Sequence, residues 1–230
     1  MISAKLTDLN KNEILMYLGY RGQEIDSRLE DQIGRCMEEV RKYSVPRLVY
    51  ALFPLEKQKT SSGEEIFKAG DLILEGRDIK ELLKECSEAV LLGVTLGARI
   101  SSQISKMEVK DMGSALIMDS CASAAVENVC DNFEEELKSQ LKEKGLFLTQ
   151  RYSPGYGDLP LSLQRDFCRI LDTSRRIGLT VTENFLMVPQ KSVTAIMGIA
   201  SKPQPERKKG CEGCSMFLSC PYRKDKKSCS

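Results

Sequence analysis

The 230 residues contain no histidine and no tryptophan. Without an imidazole there is no His general base, no Ser–His or Cys–His nucleophile pair, and no His-ligated zinc or haem. Charge of one sign is lacking as well. With 34 Lys and Arg against 33 Asp and Glu the net charge is +1, so no global basic field marks nucleic acid as the main partner. Long hydrophobic runs are absent: the most apolar window, Ala89 to Ala98, is too short to span a bilayer and contains Thr95. Met1 to Asp8 holds no apolar signal region, and a cytoplasmic location with no membrane partner is the expectation. A phosphate loop, a G-x-G-x-x-G turn after a strand and a G-x-S-x-G elbow are also missing. A doubly wound methyltransferase would need such a glycine-rich loop and βαβ alternation, and the chain offers neither.

What is present describes an ordinary globular chain, 41% hydrophobic and 29% charged, long enough for one full core or two small ones. The nine cysteines are many. Cys36, Cys86, Cys121, Cys130 and Cys168 sit in apolar patterns and read as small buried hydrophobes. Cys211, Cys214, Cys220 and Cys229 crowd the end.

Along the chain, residues 9 to 18 suit a short helix. Asp26 to Ser44 suits a better one, with Asp26 as N-cap and Leu29, Ile33, Cys36, Met37, Val40 and Tyr43 at helical spacing. Pro46 stops it, and Arg47 to Leu55 reads as a strand. Residues 56 to 64 read as a polar loop, Ile66–Phe67 and Leu72–Leu74 as extended pieces, and Asp78 as the cap of a helix from Ile79 to Cys86. Ala89 to Leu96 is continuously apolar, as a buried strand is. Helices follow from Ala98 to Met107 and from Asp111 to Lys144, the second with the stripe Met112, Leu116, Ala122, Val126, Val129, Phe133, Leu137 and Leu141. Its centre, Ser120 to Ala125, is small-sided and admits close approach of another backbone. Leu161 to Leu171 is a helix; Leu179–Thr182, Phe185–Val188 and Val193–Ile199 are strands. The expected fold is α+β, a mostly antiparallel twisted sheet with long helices packed around it. The body is expected over residues 1–200 and a linker with a cysteine-rich tail over 201–230.

One stretch, Arg151 to Pro160, packs two Gly, two Pro and two Tyr into ten residues with an Arg at its mouth. Pro lacks the amide donor and Gly costs backbone entropy, so this is a shaped loop rather than helix or central strand. Arg151 could clamp a carboxylate, Gly155 permits close ligand approach, and Tyr156 offers a face to a cation or a flat ring. A structural turn between strand and helix is the alternative.

Arg151-x-x-Pro154-Gly155-Tyr156 with Pro160 resembles the Arg-x-x-x-Gly-Tyr motif of the activation domain of cobalamin-dependent methionine synthase. Leu179 to Phe185, Met187, Pro189 and Ser192-Val-Thr are similar to the strand region that follows there, and Leu96–Gly97 and Asp119 to Glu127 also match. The resemblance covers about residues 89–200. A tyrosine pair that follows the second strand in the full-length domain is missing here, and the first eighty residues and the tail do not match it. The resemblance implies a free-standing S-adenosylmethionine-binding subunit, an accessory component for reductive methylation of cob(II)alamin. Methyl transfer from the donor would pull an unfavourable reduction forward. Cobalamin would be held by the partner, a methionine synthase lacking its own activation domain; the lack of histidine agrees, since a cobalamin module would need an Asp-x-His-x-x-Gly loop. An electron donor such as flavodoxin or ferredoxin is implied. Arg151 would hold the donor's carboxylate, Pro154 and Gly155 would shape the close contact, and Tyr156 would face the corrin. Glu183 or Glu127 would balance the sulfonium charge, or be ordinary surface residues. A reactivation partner of another corrinoid methyltransferase would carry the same pattern.

The tail spacing Cys211-x2-Cys214-x5-Cys220-x8-Cys229 suits a tetrahedral thiolate site for zinc or an iron–sulfur cluster. The competing reading is a zinc or iron–sulfur interaction module that binds no donor. Phe217 and Tyr222 among basic residues permit it, but it leaves the Arg151 loop unexplained.

Overall fold

The computed structural model describes residues 4–59, 63 and 65–204. The elements are α1 (Lys11–Tyr17), α2 (Ser27–Tyr43), β1 (Arg47–Lys59), β2 (Glu65–Ala69), β3 (Leu72–Leu74), α3 (Arg77–Leu83) and β4 (Cys86–Thr95). Then come α4 (Ala98–Lys110), α5 (Met112–Lys142), β5 (Phe147–Leu148), α6 (Leu163–Leu171), α7 (Thr173–Ile177), β6 (Thr180–Val181), β7 (Met187–Val188) and β8 (Ser192–Ala200). The fold is α+β. A six-stranded sheet has the order β3-β2-β1-β4-β8-β5, and β6 and β7 form a separate two-stranded ribbon. Pairing is antiparallel for β1 with β2, β2 with β3, β5 with β8, and β6 with β7.

The chain divides into two compact units. The first comprises residues up to Val49, Leu92–Leu137 and Leu171–Val193. Its α2 forms where the sequence predicts. The Asp26 carboxylate accepts from the Leu29 amide at 2.7 Å, and Ile33, Cys36 and Val40 are buried along one face. The long α5 buries Met118, Cys121, Ala122, Ala125, Val129 and Phe133. Met112 and Leu116, placed on the apolar stripe by periodicity, are instead 67% and 57% exposed. The first turn of α5 is set by Asp111, whose carboxylate accepts from the amides of Gly113 and Ser114, so its start follows capping rather than burial. A five-residue helix, α7, closed at Gly178 in the left-handed region, was too short to register as a period.

The second unit comprises Tyr50–Leu91, Lys138–Ile170 and the residues from Thr194 on. Its core includes Phe67, Leu72, Leu74, Ile79, Leu83, Val90, Leu91, Phe167 and the β8 residues Ala195–Met197. Residues 56 to 59, read as a polar loop, continue β1. Their ladder with β2 runs from Leu55↔Ala69 to Lys59↔Glu65, so backbone pairing holds them extended although the side chains are polar. Pro54 lies just before that ladder, where its missing amide breaks no pair with β2. α3 also differs from expectation. It begins at Arg77 after Gly76, ends at Leu83, and Cys86 opens β4. Asp78 lies inside its first turn and is buried, so it is not the cap.

Candidate functional site

The Arg151–Pro160 segment is a loop sewn onto the sheet at its root. The Thr149 amide donates to the Gly198 carbonyl at 2.9 Å, and the Gly198 amide donates to Thr149 Oγ1 at 2.8 Å. Tyr152 and Ile196 then exchange both backbone bonds, at 2.9 and 2.8 Å. Beyond that the chain folds on itself. The Tyr156 amide donates to the Ser153 carbonyl at 3.1 Å, the Gly155 amide to the Leu159 carbonyl at 2.9 Å, and the Leu159 amide to the Tyr156 carbonyl at 3.0 Å. Gly155 adopts φ 92°, and a Cβ there would stand 3.0 Å from Leu161 Cδ1. Glycine is therefore required on two grounds, backbone conformation and space.

This framework fixes four of the residues singled out from sequence. Arg151 is half-buried and immediately precedes the paired Tyr152. Pro154 is buried and Gly155 exposed. Tyr156 is 67% exposed, an aromatic ring offered to solvent by a loop that is otherwise tied down. All four belong to the second unit. Glu127, half-buried on α5, and Glu183, exposed between β6 and β7, belong to the first unit.

Sequence reasoning missed two residues that shape the loop. Asp158 caps α3 from a distance: its carboxylate accepts from the Arg77 amide and, at 3.1 Å, from the Asp78 amide. Asp78, read as that cap, instead lies with Oδ2 3.2 Å from the Tyr152 hydroxyl. Nothing local to Asp78 signals a partner 74 residues away. The Gly-Asp-Leu-Pro run is a capping sequence, but the helix it caps is not its neighbour.

In the first unit, Lys191 Nζ pairs with Asp119 Oδ1 and donates to Ser123 Oγ, both at 2.8 Å. The Ser192 hydroxyl lies 2.8 Å from Thr95 Oγ1 and 2.7 Å from the Pro189 carbonyl. The small side chains of the α5 centre thus admit the Lys191 stem, whose side chain is only 12% exposed.

A cavity of about 330 Å³ in the second unit is lined by Gln150 but not by Arg151 or Tyr156; Lys84, Lys138 and Lys142 stand on its walls. Among the described residues no group of His, Cys, Asp and Glu could hold a metal ion, and no helix is long and apolar enough to cross a membrane. Cys211, Cys214, Cys220 and Cys229 lie outside the described residues. Cys36, Cys86, Cys121 and Cys130 are buried thiols and Cys168 a half-buried one.

Residues 92–206, half of the chain, match the family described as vitamin B12 dependent methionine synthase, activation domain. Among solved structures the chain is similar to the crystal structure of the MetH reactivation domain bound to AdoHcy, at 13% identity and a TM-score of 0.63. That likeness covers 89% of this chain and 78% of the other, so it extends N-terminally beyond the family match. Comparison with curated proteins finds no match.

Proposed function

Because the chain belongs to the family of the activation domain of vitamin B12 dependent methionine synthase, we propose that it binds S-adenosylmethionine at the Arg151–Pro160 loop. In this reading it serves, in the cytoplasm, the reductive methylation of cobalamin held by a methionine synthase on a separate polypeptide. The observation that carries the proposal is the loop itself: Arg151, Gly155 and Tyr156 stand in the motif order on one anchored turn inside the matched span.

The residues fit such a donor. The guanidinium of Arg151 pairs with a carboxylate in fork geometry. Gly155 is exposed and carries no side chain, so its backbone stays accessible to a ligand. Tyr156 presents its exposed ring to a cationic sulfonium or to a flat corrin face. Cobalamin, held by the partner, would supply the cobalt chemistry, and a flavodoxin- or ferredoxin-like donor would supply the electron. This chain's part is binding and orientation. The 230 residues contain no histidine, so an imidazole ligand to cobalt would come from the partner. The counter-charge role of Glu127 or Glu183 rests on the family resemblance, and each is tested by its amide substitution. Cys211, Cys214, Cys220 and Cys229 are proposed to bind zinc or an iron–sulfur cluster through thiolates; anaerobic purification with metal analysis and a visible spectrum distinguishes the two.

Calorimetric titration with S-adenosylmethionine tests the central claim. Saturable binding by the full chain, weakened about 10- to 100-fold in Arg151→Ala, is expected; no heat of binding at millimolar donor would sink it. Reactivation assays with an oxidised methionine synthase and with a second corrinoid methyltransferase then identify the partner served.

A further inference from the structure

The Arg-x-x-x-Gly-Tyr motif does not account for how its loop keeps one shape. Ten residues with two glycines at positive φ, Gly155 at 92° and Gly157 at 51°, would sample many conformations if left alone. Three side chains outside the motif prevent this. The Tyr152 hydroxyl lies 3.2 Å from Asp78 Oδ2 and 3.1 Å from the Tyr156 carbonyl oxygen, so one ring spans the loop from its root to its apex. Asp78 is only 6% exposed, a costly place for a carboxylate unless polar partners surround it. The Gly157 backbone passes directly over this pair: a Cβ there would stand 2.2 Å from Asp78 Oδ2 and 2.3 Å from the Tyr152 oxygen. Asp158, the next residue, grips the start of α3 through the Arg77 and Asp78 amides. Gly76, the residue before α3, accommodates it, since a Cβ at Gly76 would fall 2.9 Å from Asp158 Oδ1. The loop is thus clasped to one helix end at two adjacent points.

We propose that Tyr152, Asp78 and Asp158 are positioning residues that lock the Arg151–Tyr156 turn in its donor-receptive shape before the donor arrives. The inference rests on the proposed function of the loop. Its physical basis is preorganisation: a turn already fixed loses little conformational entropy on binding, and the affinity keeps what ordering would have consumed. None of the three needs to touch the donor. Their loss leaves Arg151 and Tyr156 in the chain but no longer held in register.

The test is calorimetric titration of the full chain with S-adenosylmethionine, below the melting temperature of each variant. Tyr152→Phe removes one hydroxyl at constant ring volume and is expected to weaken binding about tenfold. Asp158→Ala is expected to weaken it comparably. Asp158→Asn, whose single amide oxygen keeps one of the two bonds to the α3 amides, is expected to lie between wild type and Asp158→Ala, within about threefold of wild type. That rescue separates positioning of the loop from a general loss of stability, which melting temperatures report independently. Wild-type affinity in Tyr152→Phe overturns the inference, as does equal loss in Asp158→Asn and Asp158→Ala. Should Tyr152→Phe fail to fold, the Asp158 pair decides alone. Absence of binding in the wild type overturns the proposed function and this inference with it. Wild-type binding weakened by Arg151→Ala but untouched by Tyr152→Phe and Asp158→Ala overturns the positioning role only.

Discussion

A single charge decides most at the proposed donor loop. The bond of a guanidinium to a carboxylate contributes about 1.5–3 kcal/mol, so Arg151→Ala is expected to weaken S-adenosylmethionine binding about 10- to 100-fold. Arg151→Lys restores only part of it, because an ammonium lacks the planar fork; calorimetry on both variants checks the order. Cysteine chemistry is set by burial instead. Burial, with Cys36 nearby, pushes the Cys121 thiol up to about 12, and burial beside Glu85 pushes Cys86 up to about 11, both from an ordinary value of 9.0. Burial raises Cys36 as well. These thiols are expected to resist alkylation at pH 8 in the native chain and to react fully in denaturant, read by mass mapping. The linkage sign follows from the raised folded values. The stabilisation is complete below pH 9, where unfolded thiols are neutral too, and is lost as pH climbs from 9 towards 12. The urea midpoint should fall across that window. At this scale the loop from Arg151 to Pro160 was legible because its prolines and glycines already limit what the backbone can do. Asp78 and Asp158 were not, since their meaning comes from partners on distant segments.

Elements were legible wherever burial and period coincide. α2 shows an N-cap, three buried positions at helical spacing and a proline beyond its end, and its expected limits, Asp26 and Ser44, prove to be the two caps of the helix from Ser27 to Tyr43. The polar end of β1 was hidden because pairing with β2, rather than side-chain pattern, makes it a strand. α3 was misplaced by two to three residues because its cap comes from Asp158. β8 packs closely at Gly198, where a Cβ would stand 2.4 Å from Cys86 Sγ and 2.8 Å from Leu83 Cδ2. Gly198→Ala is therefore expected to destabilise the chain by about 1–3 kcal/mol through overpacking, seen as a lower urea midpoint with an unchanged slope. Asp26→Ala, which removes the α2 cap, should cost about 1 kcal/mol.

For the whole molecule, the family match begins at Leu92, while likeness of fold reaches into the residues before it. The N-terminal elements keep their place by burying Ile14, Ile33, Val40, Phe67 and Leu74, a demand for apolar volume that many sequences meet. The loop demands particular residues, so sequence records it more sharply than it records the helices. A ligand that binds only the folded chain must raise the stability of that chain. At a donor concentration one hundred times the dissociation constant the gain is about 2.7 kcal/mol. For a chain of this length that corresponds to a rise of roughly 5–10 °C in melting temperature. S-adenosylmethionine is expected to produce the shift in the wild type. Arg151→Ala, binding about 10- to 100-fold more weakly, should gain only about 0.4–1.4 kcal/mol at the same donor concentration, a shift of about half the wild-type size or less. A shift of equal size in both proteins would place the donor somewhere other than the Arg151 loop.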